Sequence, residues 1–490
     1  MIHCFKLCGY NIVLDVASGS IHTVDDLAYD VIRLYELVID GKDISVLTAR
    51  VSALHPDVSE DEILEVVTDI ERLRSRGKLF SPDAFAGVVK AECNAPLSAL
   101  CLNVSHVCNM SCEYCFAGCC EDRQGDGSSV SSGAIQAGMT QCVTDKTDEP
   151  SPCLLMSLET AKAAVDFLVA ESAERQNLDI DFFGGEPLLN RQVIKDVVAY
   201  AREIERSKAG KKFRFTLTTN ALLIDDDVIN FTNNQMHNVV LSLDGRPRVH
   251  DAMRKLPAGD GSYSAVVENI RKLVDARRGK GYYIRGTFTR HNTDFVNDIL
   301  HISNLGYKEI SMEPVISKPG DSFGFMPDDL ETLCEQYETL AVEMLRLEKL
   351  GTGFNFYHFN LDLLEGPCVH KRVAGCGVGT EYMAVTPSGE LYPCHQFVGD
   401  RKFLLGDVWR GVVNNTLRNQ FAGCSIYSRP ECRECWARFY CSGGCAANAY
   451  NASGSINGIY EFGCELFKKR MECAIMMKVA NEAGALRSSR

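Results

Sequence analysis

The sequence predicts an α/β protein: an open or partial parallel barrel of six β-α units, preceded by a small winged-helix-like unit and followed by a cysteine-rich one. Three features carry that reading. Apolar strand-like runs alternate with amphipathic stretches between about residues 97 and 315, short strands followed by helical periodicity fill residues 1–90, and beyond residue 366 glycine and cysteine replace the long apolar runs. A chain of 490 residues is long enough for about three domains of roughly 150 residues each.

The elements follow in order. Ile2–Leu7, Asn11–Val16 and Ile21–Val24 are rich in β-branched residues and are separated by turns at Gly9 and Gly19. Leu27, Val31, Leu34, Leu37 and Val38 then recur at helical spacing, and the pattern returns over Ile63–Leu73 after the His55-Pro56 turn. Residues 1–90 therefore read as an independent winged-helix-like unit. A structural cap and a DNA-binding head are the alternatives to a docking module whose exposed strand edge accepts an extended peptide; the acidic charge weighs against DNA.

The barrel, residues 97–325, draws its strands from Leu100–Val104, Leu178–Phe183, Phe213–Thr219, Val239–Leu243, Tyr282–Phe288 and Glu309–Glu313, with crossover helices such as Ala161–Ala170 and Val193–Ile204. Such a fold gathers ligands at the C-terminal strand ends. Residues 117–157, rich in Gly, Ser, Asp and Thr, read as a mobile insertion in the first crossover, and their Cys119, Cys120, Cys142 and Cys153 as incidental thiols. Residues 326–365 read as a helical bridge. In 366–490 something other than an apolar core organises the chain, which closes on a helix at Cys464–Leu486.

Composition bounds the function. Apolar residues at 46% and charged ones at 24% permit a sizeable core and exclude wholesale disorder. Lys and Arg number 51 against 65 Asp and Glu, and the resulting charge of −14 repels phosphate backbones. No apolar run approaches the roughly 18–20 residues of a membrane span. The opening MIHCFKLCGY lacks the pattern of an export signal, so the expected location is the cytoplasm, with no nucleic-acid or membrane partner. In that reducing compartment 22 cysteines point to metal, iron-sulfur or catalytic thiols rather than disulfides.

Directly after the first barrel strand, CNMSCEYC places Cys108, Cys112 and Cys115 in a CxxxCxxC spacing. Three thiolates on one short loop can hold three irons of a cubane cluster and leave the fourth without a protein ligand. A zinc site normally needs four ligands in paired knuckles, and no fourth stands beside these. Tyr114, just before the last cysteine, suits packing near a cofactor. After strand two comes Gly184-Gly185-Glu186-Pro187, glycines that admit a close ligand and a carboxylate able to accept from an ammonium. Strand three ends in Thr219-Asn220 and strand four in Ser242-Leu243-Asp244-Gly245. Arg254 and Arg285 offer planar bidentate donors to a carboxylate.

A second cysteine set is stricter. Cys376 is followed by twelve residues, Gly389, four residues and Cys394; then come Cys432-x2-Cys435-x5-Cys441-x3-Cys445 and, after a gap, Cys464, with Cys368 a possible eighth ligand. Spacing alone also tolerates a double zinc ribbon. Cys4, Cys8, Cys93, Cys101, Cys334, Cys424 and Cys473 fit no ligand spacing and read as buried or incidental.

In the order and placement of these motifs the chain resembles the radical S-adenosylmethionine (SAM) enzymes, and its second cysteine set resembles their auxiliary-cluster (SPASM) domain. MIHCFKLCGYNIVLDVASGSIHTVDDLAYD, GTEYMAVTPSGELYPCHQFVGD and CWARFYCSGGCAANAYN are similar to the thioether-forming maturases of small cysteine-rich SCIFF peptides. The resemblance implies three [4Fe-4S] clusters: one on Cys108, Cys112 and Cys115 that chelates SAM, an outer one on Cys432, Cys435, Cys441 and Cys464, and an inner one on Cys376, Cys394 and Cys445 with or without Cys368. It implies that the GGEP element receives the amino group of SAM and that Ser242 and Asp244 contact its ribose and carboxylate side. A 5′-deoxyadenosyl radical would take a hydrogen from a precursor peptide, whose cysteine sulfur then bonds to that carbon; no protein acid or base is assigned. The implied partners are the precursor, its leader held by the N-terminal unit, and an electron donor such as a flavodoxin or ferredoxin. The insertion at 117–157 departs from the family pattern. A sulfatase-type radical SAM maturase oxidising Cys or Ser, and a zinc-ribbon regulator with a winged-helix head, are the other functions these residues allow.

Overall fold

The structure is a computed structural model that describes residues 1–37, 43–86, 96–117, 155–207, 210–318, 320–361 and 369–488, backbone only at 369–371 and 483–488. Most of the predicted insertion, with its four cysteines, and Cys93 and Cys368 lie outside the described residues.

The N-terminal strands β1 (Ile2–Leu7), β2 (Tyr10–Asp15) and β3 (Ile21–Val24) pair antiparallel in that order. Cys8 and Gly9 join the first two at φ of 50° and 79°, the pair of left-handed residues that a two-residue hairpin with the right twist requires. Helices follow at Asp26–Leu34, Ile44–Leu54 and Glu60–Ser75, capped by Asp25, Asp43 and Ser59, the last through a reciprocal capping box with Glu62. Val13 on β2 points into these helices with Val31, Leu47 and Ile63, whereas its neighbours Ile12 and Leu14 join the main core of the molecule with Phe5 and Leu7. The N-terminal unit thus has an apolar cluster of its own and lends one face of its sheet to the main core. The run Ile12-Val13-Leu14 is apolar at consecutive positions, and a strand patterned so is buried on both faces.

The main sheet starts with β4 (Ala99–Ser105); the two-residue β5 (Ser111–Cys112) lies in the loop after it. The parallel series continues through β6 (Asn177–Gly184), β7 (Lys212–Thr219) and β8 (Asn238–Ser242). Beyond the short β9 (Arg254–Lys255) it ends with β10 (Gly281–Phe288) and β11 (Glu309–Pro314). These six parallel strands lie in the order β4-β6-β7-β8-β10-β11 reversed along the sheet, each neighbour next in the chain apart from the β5–β9 ribbon. Leu178, Ile180 and Phe182 of β6, like Phe213, Phe215 and Leu217 of β7, are buried, while the residues between them occupy the opposite face.

Two additions were not foreseen. The bridge contains, besides its long helix Asp329–Lys349, a strand β12 (Asn355–Phe356) parallel to β11. In the cysteine-rich region β13 (Tyr382–Val385) pairs parallel with β4, and β14 (Glu390–Tyr392), β15 (Gly406–Asp407) and β16 (Gly411–Val412) extend the sheet antiparallel to eleven strands. A common sheet therefore crosses the boundary between barrel and cysteine-rich region. The final helix runs from Glu461 to Ser488 and packs on the Asp329–Lys349 helix. Among the described residues no helix is long and apolar enough to cross a membrane.

Candidate functional site

The loop leaving β4 carries Cys108, Cys112 and Cys115, and it is sutured at several points. Gly185 donates its N–H to the Ser105 carbonyl (2.7 Å) and Glu186 to that of Val107 (2.9 Å). Cys112 pairs with Arg254 in the β5–β9 ribbon, Glu113 donates to the Met253 carbonyl (2.9 Å), and Lys255 pairs with Glu113 (2.5 Å). Glycine is required where the GGEP turn crosses this loop. Gly184 has φ 138°, and a Cβ there would sit 2.1 Å from the Ser105 carbonyl oxygen; one on Gly185 would sit 2.4 Å from that of Val107.

The three thiols stand in one another's field. Burial pushes all of them up, Cys112 to about 11, and the Cys112 and Cys115 sulfurs push Cys108 up further. Cys108 Sγ accepts from the Met110 N–H (3.4 Å) and, weakly, from Asn220 Nδ2 (3.8 Å). Thiols raised in this way do not ionise by themselves, but a bound metal deprotonates them outright, and hydrogen bonds to sulfur suit a thiolate. By its chemistry, three cysteine sulfurs on one loop, the donor set fits an iron-sulfur cluster.

Several predicted contact residues are committed to this framework. Glu186, expected to accept from an ammonium, is wholly buried: its carboxylate accepts from the Leu188 N–H (3.0 Å), the Thr219 hydroxyl (2.8 Å) and the Asn220 N–H (2.8 Å), and Pro187 is buried after it. Burial pushes its pKa up to about 7 even against these three donors. Asp244, expected beside a ribose, is also wholly buried. It accepts from Tyr114 Oη (2.5 Å) and the Thr287 N–H (3.0 Å) and pairs with Arg254 Nε at 3.0 Å, while the Arg254 guanidinium stands 5.4 Å from the Tyr114 ring centre. Tyr114, Asp244 and Arg254 thus hold the cysteine loop against β8 and β9. Both carboxylates share one feature: their chain neighbours turn inward, so protein donors hold and orient them within the framework.

Asn220 Nδ2 donates to Asn109 Oδ1 (2.7 Å) within the loop. Ser242 and Arg285 remain on the interior face of the sheet. Arg285 is level with Ser242 on β8 and with Ser311 on β11, is exposed, and makes no ion pair among the described residues.

Residues that motif reading missed line the same interior. The Phe116 ring lies 5.4 Å from His395 and 6.2 Å from Phe183; Tyr382 Oη meets His395 Nδ1 at 3.2 Å; His358 Nε2 meets Ser311 Oγ at 3.0 Å. Burial lowers the pKa of both His358 and His395 to about 4, helped at His395 by the Arg285 cation and at His358 by Arg470 and then Arg285 against the opposing Glu313. Three of these residues flank motifs directly, Phe116 after Cys115, Phe183 before Gly184 and His395 after Cys394, which is the signal that could have found them.

Within the second cysteine set the sulfurs act on one another in two groups. Burial first, and then the neighbouring Cys445 and Cys376 sulfurs, take Cys394 up to about 12, and burial followed by Cys445 raises Cys376. Cys432, Cys435 and Cys464 act likewise on Cys441, which burial also takes to about 12. Cys101, Cys424 and Cys473 are buried.

Residues 102–294 match the Radical SAM superfamily. This stretch is a radical SAM domain, and the family implies a [4Fe-4S] cluster and SAM. Over 77% of its length the chain is 21% identical to the radical SAM cyclopropyl synthase TigE of Paramaledivibacter caminithermalis, covering 74% of that protein. Over 79% of its length it is 24% identical to the cysteine-type anaerobic sulfatase-maturating enzyme of Clostridium perfringens, covering 99% of it. The solved structure of native anSMEcpe with bound AdoMet shares the fold, with a TM-score of 0.62 at 21% identity over 79% of this chain and 100% of that one. The chain thus contains a radical SAM domain and is related over about three quarters of its length to peptide and sulfatase maturases.

Proposed function

We propose that this enzyme installs thioether crosslinks, cysteine sulfur to carbon, in a ribosomally made cysteine-rich precursor peptide. The observation that carries the reading is the N-terminal unit: a three-stranded sheet with β3 at its edge, packed into the main core beside the second cysteine set. About a fifth of this chain has no counterpart in the anSMEcpe structure, whose whole length the remaining 79% covers. A leader strand added to the sheet edge would raise the concentration of the core peptide at the barrel interior.

Cys108, Cys112 and Cys115 would hold the first cluster, and the two further groups of thiols an inner and an outer one, fed by an external flavodoxin or ferredoxin. The cluster and SAM, when bound, supply a carbon radical. The protein supplies position. The Gly184-Gly185 backbone, Asn220, Ser242 and Arg285 would seat SAM, the cation of Arg285 taking its carboxylate. The Phe116, Phe183 and His395 rings would wall the space between the first cysteine loop and the inner group, where a peptide side chain is held within attack distance and kept from water.

The sulfatase-maturating relatives give a second reading, oxidation of a single cysteine or serine to an aldehyde. Anaerobic incubation with SAM, reductant and a cysteine-rich peptide, followed by mass spectrometry, separates the two. Crosslinking removes two hydrogens and one alkylatable thiol per bond and leaves the sulfur in place. A hydrazine-reactive product that has lost sulfur would refute the thioether reading. Deleting residues 1–90 is not a clean test of leader binding, because it strips Phe5, Leu7, Ile12 and Leu14 from the main core.

A further inference from the structure

The contact between the N-terminal unit and the second cysteine set has a specific construction. On β1 the His3 ring lies flat on Trp436, centroids 3.8 Å apart and planes within 3°, while its Nε2 meets Glu472 Oε1 at 3.0 Å. Trp436 follows Cys435, and Glu472 stands eight residues past Cys464 on the final helix. His3 therefore bridges two segments, each anchored to a thiol of the outer group. A second anchor lies alongside. Asp83 accepts from Tyr427 Oη (2.9 Å) and Arg438 Nη2 (3.2 Å), and Phe85 meets the Phe439 ring edge-on at 5.5 Å. Arg438 and Phe439 fall between Cys435 and Cys441.

The segment that receives these contacts is held by local bonds, among them Arg433 Nε to the Tyr427 carbonyl (2.6 Å) and Arg438 Nη1 to the Arg433 carbonyl (2.8 Å), rather than by long regular elements. Its helices, Pro430–Arg433 and Arg438–Cys441, are single turns, far below the length at which a helix sustains itself. The segment also has Cys432, Cys435 and Cys441, in the field of Cys464 on the final helix. A cluster on these four thiols would pin the segment to the helix and so fix the distance between Trp436 and Glu472 that His3 spans.

We infer that His3 and Asp83 are positioning residues through which the seating of the N-terminal unit is coupled to iron loading of the outer thiols. The inference rests on the outer-cluster reading above. Its consequence is that an unloaded enzyme holds its peptide-binding unit loosely and presents substrate poorly, and by reciprocity a seated unit slows loss of the outer iron.

The test uses the full chain, reconstituted anaerobically, with carbethoxylation of individual histidines read by peptide mass spectrometry. In Cys435→Ser/Cys464→Ser, iron falls by about four per chain. His3, whose side chain is 18% exposed, then reacts about tenfold faster. His22 on β3 reacts as before, and His250, wholly buried, stays unmodified. Loss of that iron with an unchanged His3 rate overturns the coupling and leaves the proposed function standing. Iron retained in full overturns the outer-cluster assignment and the coupling with it. Should His250 become reactive, the variant has unfolded, and His3→Ala/Asp83→Ala decides instead: its thiols are intact, and transfer of one cluster's iron to a chelator runs about tenfold faster than in the parent. Equal transfer rates overturn the proposal.

Discussion

Gly185→Ala puts the glycine turn to a quantitative trial. Gly185 is not among the glycines at positive φ, so alanine meets no backbone penalty and the effect is steric. Its Cβ would stand 2.4 Å from the Val107 oxygen, 2.7 Å from the Val107 carbonyl carbon and 3.2 Å from Cys108 Cβ, where ordinary contact begins at 3.4 Å. Relief on the first contact alone needs 3.4 − 2.4 = 1.0 Å of movement. The bond from Glu186 N–H to the same oxygen is 2.9 Å long, so a withdrawal of that size breaks it. Overpacking costs about 1–3 kcal/mol and the lost bond about 1, so the variant should lose roughly 2–4 kcal/mol of stability. Cys108 moves with the loop, and a displacement of about 1 Å at a reactive centre costs on the order of a hundredfold in rate. Thermal denaturation, iron per chain and deoxyadenosine release under strong reduction measure the three effects. Gly423→Ala, whose Cβ would meet nothing nearer than 3.4 Å, serves as control. A Gly185→Ala protein with parental iron, stability and SAM cleavage would refute the argument that the turn must touch the cysteine loop.

Three further outcomes follow from the same geometry. Arg285→Gln should weaken SAM binding about tenfold and leave decarboxylated SAM unaffected, since a charge-assisted bond to the carboxylate is what it removes. Equal losses for the two ligands in equilibrium dialysis would exclude Arg285 from that role, and Arg254→Gln should instead shed iron by freeing Asp244 and Tyr114. His250 makes stability fall in mild acid. Burial holds its pKa down to about 4 from the ordinary 6.5, so the folded state keeps it neutral while the unfolded chain takes up a proton below 6.5. Its contribution is complete above pH 6.5 and is lost as pH falls toward 4. Nδ1 accepts from the Asp244 N–H (3.3 Å) and Nε2 meets Ser262 Oγ (3.0 Å), partners that His250→Gln approximates without titrating. The urea midpoint of this variant should fall less steeply than the parent's between pH 6.5 and 4.5; parallel slopes would remove His250 as the cause.

Much of the site was legible because the information is local. Three cysteines within eight residues share a loop whatever surrounds them, and the glycines of GGEP and SLDG announce turns that approach something closely. Alternation within Leu178–Phe183 and Phe213–Thr219 marks strands by the same local logic. Burial of a polar side chain is different, because it depends on residues distant in sequence. Glu186 meets Thr219 and Asn220 more than thirty residues on, and Asp244 meets Tyr114 from the other side of the insertion. A carboxylate beside a ligand and a carboxylate behind one look alike in a motif.

The amino-acid sequence by itself determined the chemistry on offer: which thiols fall on one loop, that the six barrel strands form, and where glycine lets backbone crowd together. Tertiary structure alone decided how these parts are shared. It drew β13 from the cysteine-rich region alongside β4, laid His3 against Trp436, and tied Asp244 to Tyr114 and Glu186 to the Leu188 backbone. The reason is that spacing and propensity act over a few residues, whereas pairing, burial and hydrogen-bond satisfaction are settled between segments that meet only when the chain has folded.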